Sequence, residues 1–236
     1  MGQRTSGLGA AALAAICLAW SSGAQAADAG HPVVVELFQS QGCSSCPPAN
    51  ANLMALSQRP DVLALSFGVT YWDQLGWKDT FASPQYTARQ WDYAHALHHD
   101  NVFTPQVVVN GRLDGVGAGR GEIEQLMRRA DRTVAGPSLT IASGAVLVGA
   151  APMSGGAADV WLVRYDPRIV QVAIRRGENG GRTLPHRNVV RELVRLGGWN
   201  GRAARFDIPA SRDPALRAAV LVQTAGAGPI LAAAKG

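Results

Sequence analysis

Cysteine is scarce in this chain, and the scarcity is informative. Among 236 residues only Cys17, Cys43 and Cys46 carry a thiol, and Cys17 lies in a leader-like first segment. A bridge between Cys43 and Cys46 closes so small a loop that it constrains the unfolded chain little. Such a pair in an exported chain is better explained by reactivity than by stapling. Long apolar runs are absent after the first segment, so no integral membrane segment is expected in the mature chain. Positive charge is in excess, +5 overall, but it is not clustered: in the C-terminal half, arginines alternate with apolar residues as on the exposed face of a sheet. With neither a basic patch nor a recognisable module, nucleic acid is not an expected partner. Internal repeats and long low-complexity tracts are also missing.

What is present begins with an address. Arg4 precedes the small, apolar stretch 8–20, and Ala24-Gln25-Ala26 has the pattern of a signal-peptidase site. Residues 1–26 are expected to be a cleaved signal peptide, with a periplasmic or secreted product. Ile16 stands before Cys17 where a lipoprotein needs a small residue, which argues against a lipid anchor.

Residues 32–42 read as a strand ended by Gly42. Residues 49–57 read as a helix, and residues 62–69 as a second, parallel strand. An aromatic-rich insertion, 71–101, follows. Eight of the fifteen aromatic residues fall between Tyr71 and Phe103, and Ser83-Pro84 opens a helix expected to run to about His98. Thr104-Pro105 then leads into a strand, an Asn110-Gly111 turn, a partner strand 113–116 and a helix 122–132. The order is β-α-β-α-β-β-α over residues 27–135. Beyond Ala135-Gly136-Pro137, short alternating runs separated by turn residues predict a mainly antiparallel, β-sandwich-like second domain, 137–236.

Cys-x-x-Cys between a strand and a helix sets a sulfur at a helix N-terminus, where the dipole favours thiolate. Cys43 is then the expected exposed attacker and Cys46 the shielded resolver of a mixed disulfide. Thr104-Pro105 falls where a cis-proline loop faces the pair in a thioredoxin-like fold, and would dock substrate backbone. Glu36, on an apolar strand, is either a buried carboxylate that shuttles a proton or a strand-end side chain reaching solvent. No Lys, Arg or His lies within the motif. If the helix began at Cys43, Pro47-Pro48 would crowd it, so a later start or a bend is expected.

The segments 35–49 (Val-Glu-Leu-Phe-Gln-Ser-Gln-Gly-Cys-Ser-Ser-Cys-Pro-Pro-Ala), 71–77, 104–111, 176–181 and 184–186 resemble the exported family designated domain of unknown function 1223, whose first part is thioredoxin-like. The resemblance spans nearly the whole mature chain and implies an α/β thioredoxin-like domain followed by a β-rich one. The leading expectation is an exported thiol–disulfide oxidoreductase acting on a protein thiol or disulfide partner, with no cofactor and no bound metal. One alternative is a copper or zinc site built from Cys43, Cys46 and a histidine among His95, His98 and His99. The other is a redox-inactive binding module.

Overall fold

The computed structural model describes residues 1–2, 27–130, 136–153 and 156–236. Most of the expected signal peptide, and Ala135 of the expected boundary, lie outside the described residues. β1 (Val33–Gln39) and β2 (Val62–Gly68) are buried along their whole length, as expected of parallel strands covered on both faces. They pair in parallel, Val33 opposite Val62, and α1 (Cys46–Leu56) crosses between them. α2 (Pro84–Ala96) is capped by Ser83, whose side chain accepts the Gln85 N–H, with Pro84 in the first turn where no intrahelical N–H is needed. β3 (Gln106–Val109) runs antiparallel to β1 and forms a hairpin with β4 (Leu113–Gly115). Asn110 and Gly111 both take positive φ at its turn, 49° and 61°, the backbone a tight hairpin demands. α3 (Arg120–Arg129) completes the expected order.

Each face of β1 has its own core. Val33, Val35 and Leu37 pack with Ala49 and Leu53 of α1 and Ile123 and Leu126 of α3. Val34 and Phe38 pack with Tyr86 and Tyr93 of α2. The period of two along a strand makes this division, and it decides where Glu36 and Gln39 point.

Residues 137–236 supply β5 (Leu139–Ala142), β6 (Ala145–Val148), β7 (Ala158–Asp166), β8 (Val170–Ala173), β9 (Thr183–His186), β10 (Val189–Trp199), β11 (Ala204–Asp207), β12 (Arg217–Thr224) and β13 (Ile230–Lys235). β10 is strand although Val189, Val190, Leu193 and Val194 also fit a helical stripe. The separate sandwich-like domain is corrected by the topology. One eight-stranded mixed sheet, in the order β13-β12-β7-β10-β2-β1-β3-β4, runs through both segments. The three-stranded sheet β11-β6-β5 covers part of it, burying Val146, Val160, Leu162 and Trp199 between the layers. The junction is the start of β10. Val189 pairs with Ser66, and the Asn188 side chain donates to the Ala64 carbonyl at 2.7 Å. A bare β2 edge would be an open template for pairing with other chains, and β10 covers it. β8 and β9 form a small hairpin apart from both sheets.

Candidate functional site

α1 begins at Cys46, not at Cys43, so Pro47 and Pro48 fall in its first turn. That is where proline costs least, because those N–H groups have no intrahelical acceptor. The prolines also remove donors that a helix N-terminus would otherwise offer to an anion. Cys43 and Cys46 form a disulfide, with Cα atoms 5.4 Å apart. The Thr104–Pro105 peptide is cis, and its loop faces the motif. The Ser45 hydroxyl lies 3.4 Å from the Thr104 carbonyl, and Trp72 Nε1 donates to Thr104 Oγ1 at 2.8 Å. The structure therefore brings Cys43, Cys46, Thr104 and Pro105 together.

Cys43 differs from its expected exposure: it is 0% and Cys46 1% accessible. The cover is the tip of the β8–β9 hairpin, residues 175–181, which we term the strap. Asn179, itself fully buried, donates to the carbonyls of Gln41 (2.9 Å) and Cys43 (2.8 Å), while its own oxygen accepts from Arg182 Nη1 at 2.6 Å. Glu178 accepts the Ser44 N–H at 3.0 Å and the Ser44 hydroxyl at 2.7 Å, and these bonds hold its carboxyl below the usual range. Gly177 takes φ +75°, and a Cβ there would stand 3.5 Å from the Trp77 Cβ, so the tip lies between the motif and the insertion. Asn179→Ala leaves two buried carbonyls short of a donor, at a cost of about 1–3 kcal/mol to the closed strap. That corresponds to about 5- to 150-fold more of the open form. Reduction of the disulfide by dithiothreitol, followed by thiol alkylation, should accelerate within that range. An unchanged rate would show that the strap does not gate the sulfurs.

Glu36 is not beneath the cysteines. It is buried on the face of β1 opposite α1, where Arg89 Nε donates to Oε1 at 2.8 Å and Arg89 Nη2 to Oε2 at 3.2 Å. The Tyr93 hydroxyl also donates to this carboxylate, and Gln223 bonds both Arg89 and Tyr93 at 3.0 Å. A carboxylate so engaged is part of a buried ion pair, and the proton-shuttle role finds no geometric support. The metal alternative fares similarly. His99 pairs with Asp114 at 2.9 Å and His95 lies against the Trp91 ring. Among the described residues no group of three or more His, Cys, Asp and Glu side chains is placed to hold a metal ion.

Sequence reasoning missed four residues around the pair: Asp79, Glu178, Asn179 and His186. Asp79 is buried and accepts the N–H groups of Gln41 and Phe81, both at 2.7 Å. Burial pushes its carboxyl above the usual range, with Asp73 adding to the rise. Gly68 permits this approach, since a Cβ there would stand 2.9 Å from the backbone of Phe81 and Ala82. His186 sits on β9 behind the α1 side of the sheet, beside Gln39 and edge-on to Phe81. For Glu178, Asn179 and His186 the available signal was the family resemblance over residues 176–181 and 184–186; none pointed to Asp79.

No curated protein matches this chain. Among solved structures, a crystal structure of an Agrobacterium tumefaciens protein is 34% identical, covers 90% of this chain and 95% of its own, and superposes with a TM-score of 0.72. HBP35 of Porphyromonas gingivalis matches over 88% of this chain and 75% of its own, with 13% identity and a TM-score of 0.58, a likeness of fold alone. The model for the proteins of unknown function grouped as DUF1223 matches residues 34–223, and the chain belongs to that family.

Proposed function

We propose that the protein is an exported thiol–disulfide oxidoreductase built on a thioredoxin-like domain. Cys43 exchanges with a partner's sulfur and Cys46 resolves the mixed disulfide. Thr104 and Pro105 receive the partner's extended backbone. The observation that carries this reading is the disulfide held between the start of α1 and the cis Thr104–Pro105 loop, within reach of Ser45. The strap supplies what an oxidoreductase with a buried disulfide needs: a cover fastened to the motif by Glu178 and Asn179. A partner must lift it, which makes exchange conditional on recognition.

The burial of the pair also favours a second reading, in which the disulfide is inert and the domain only binds. Reduction potential separates the two. Structural disulfides lie below about −300 mV, whereas exchanging pairs lie above it. Equilibration of the oxidised protein with graded glutathione and dithiothreitol buffers, read by alkylation, should give a potential above that limit. A lower value would leave the binding module.

A further inference from the structure

The outer face of the motif loop already holds a peptide segment, the strap. Within the strap the backbone is bonded to itself: the Gly180 N–H donates to the Gly177 carbonyl at 3.0 Å, and the Gly181 N–H to the Ile174 carbonyl at 2.8 Å. The tip can therefore part from the motif as one body, keeping its own bonds. Its polar hold on the motif is made by two adjacent side chains. Asn179 Nδ2 serves the Gln41 and Cys43 carbonyls, and a single Glu178 oxygen, Oε2, accepts both the Ser44 N–H and the Ser44 hydroxyl. The first turn of α1 has no acidic residue of its own and Ser45 makes no capping bond, so Glu178 is the carboxylate this loop receives. Around that seat the unpaired charges are cations. Arg175 and Arg176 of the strap, and Lys78 beside Trp77, are exposed and have no hydrogen-bond or ion-pair partner among the described residues. The carboxylates of the insertion are taken by backbone amides: Asp73 accepts the Asp79 N–H at 3.0 Å, and Asp79 those of Gln41 and Phe81.

Resting on the oxidoreductase reading, we propose that the strap occupies the seat of the partner polypeptide, and that the partner carries a carboxylate side chain next to its reacting cysteine. Asn179 and Glu178 hold Cys43 itself and the residue after it, so exchange at Cys43 requires them to leave. Two carbonyls and two donors of the loop then need new partners. The N–H groups of an extended chain suit the carbonyls. The two Ser44 donors converge on one point, and a hydrogen bond to an ionised acceptor is roughly twice as strong as one to a neutral acceptor. A carboxylate there outcompetes an amide. A lysine leaves both donors unmet and brings its charge towards Arg175 and Arg176. In the exchange step the partner's thiol loses its proton to solvent and its sulfur bonds to that of Cys43. The Cys43–Cys46 bond breaks, and Cys46 leaves as a thiolate with the electron pair. Ser44 thus selects the partner without touching the bond that breaks.

The test uses the full oxidised chain and blocked peptides with a single cysteine, identical except for Glu, Gln or Lys beside it. Adduct formation is followed by mass spectrometry after acid quenching. Each rate is divided by that peptide's rate with 2-hydroxyethyl disulfide, a neutral reference that removes differences in thiol acidity. The Glu peptide should react about 5-fold faster than the Gln peptide at low salt, with the Lys peptide slowest, and the preference should shrink as salt screens it. Two variants separate recognition from loosening of the strap. Glu178→Gln weakens the closed strap, so all three rates should rise together and their ratio should hold. Ser44→Ala also weakens it but removes one of the converging donors, so rates should rise while the Glu-to-Gln ratio falls to about 2. Adducts that form at rates indifferent to the neighbouring side chain, or a preference that Ser44→Ala leaves whole, overturn this inference and leave the exchange activity standing. Absence of adduct with every peptide, in Glu178→Gln as in wild type, overturns both.

Discussion

Cys43→Ser will abolish exchange between the oxidised chain and glutathione, whereas Cys46→Ser will yield a chain that accumulates a mixed disulfide and cannot discharge it. The asymmetry follows from where the sulfurs sit. Cys46 is the first residue of α1, on the face that carries Ala49, Asn50 and Leu53 into the core. Cys43 lies outside the helix, in a turn whose Cys46 N–H donates to the Cys43 carbonyl at 3.3 Å. Its sulfur is 3.3 Å from the Ser45 hydroxyl, which also faces the Thr104 carbonyl. When the strap lifts, Cys43 is the sulfur uncovered, because Asn179 is bonded to its own carbonyl. Attack there expels Cys46 at the positive end of the α1 dipole, the better place for a leaving thiolate. Mass spectrometry of glutathione adducts reads both variants. Stable adduct on Cys43→Ser and none on Cys46→Ser would reverse the two roles.

Arg89→Met will lower stability by about 3–5 kcal/mol, because it strands the buried Glu36 carboxylate without its cation. For a domain of this size that is a fall in melting temperature of roughly 6–20 °C. The guanidinium is held by Glu36, Tyr93 and Gln223 and lies 5.0 Å from the Tyr93 ring centroid and 5.7 Å from that of Trp161. It therefore joins β1, α2, β7 and β12, elements from both halves of the chain. Adding Glu36→Gln to Arg89→Met removes the stranded charge and should recover part of the loss. The variants should keep the wild-type disulfide potential, since this network lies on the other face of β1 from α1. Thermal unfolding and redox titration check the two halves of the prediction. A loss under about 1 kcal/mol in Arg89→Met would overturn the stranded-charge account, and a displaced potential would show that Glu36 communicates with the cysteines after all.

Local pattern carried much of this architecture. The β-branched runs became β1, β2 and β3; Ser83-Pro84 became the start of α2; Asn110-Gly111 became the hairpin turn. The short alternating runs expected beyond Pro137 became strands, β5 and β6 among them. Of the site, Cys43, Cys46, Thr104 and Pro105 were legible because motif spacing and element order are properties of consecutive residues. Glu36 was half legible: strand alternation put it beside Val34 and Phe38, but not against Arg89, fifty-three residues away.

What the sequence determined alone was the set of elements, since periodicity, caps and turns act over a few residues, and with them the two sulfurs and their proline loop. Tertiary structure decided that the C-terminal strands extend the first sheet, that a hairpin tip 136 residues from Cys43 buries it, and that His186 arrives beside Gln39 from 147 residues on. Which strand edge closes against which, and what a distant loop covers, depends on matching surfaces across the whole chain. No window of neighbouring residues contains that information.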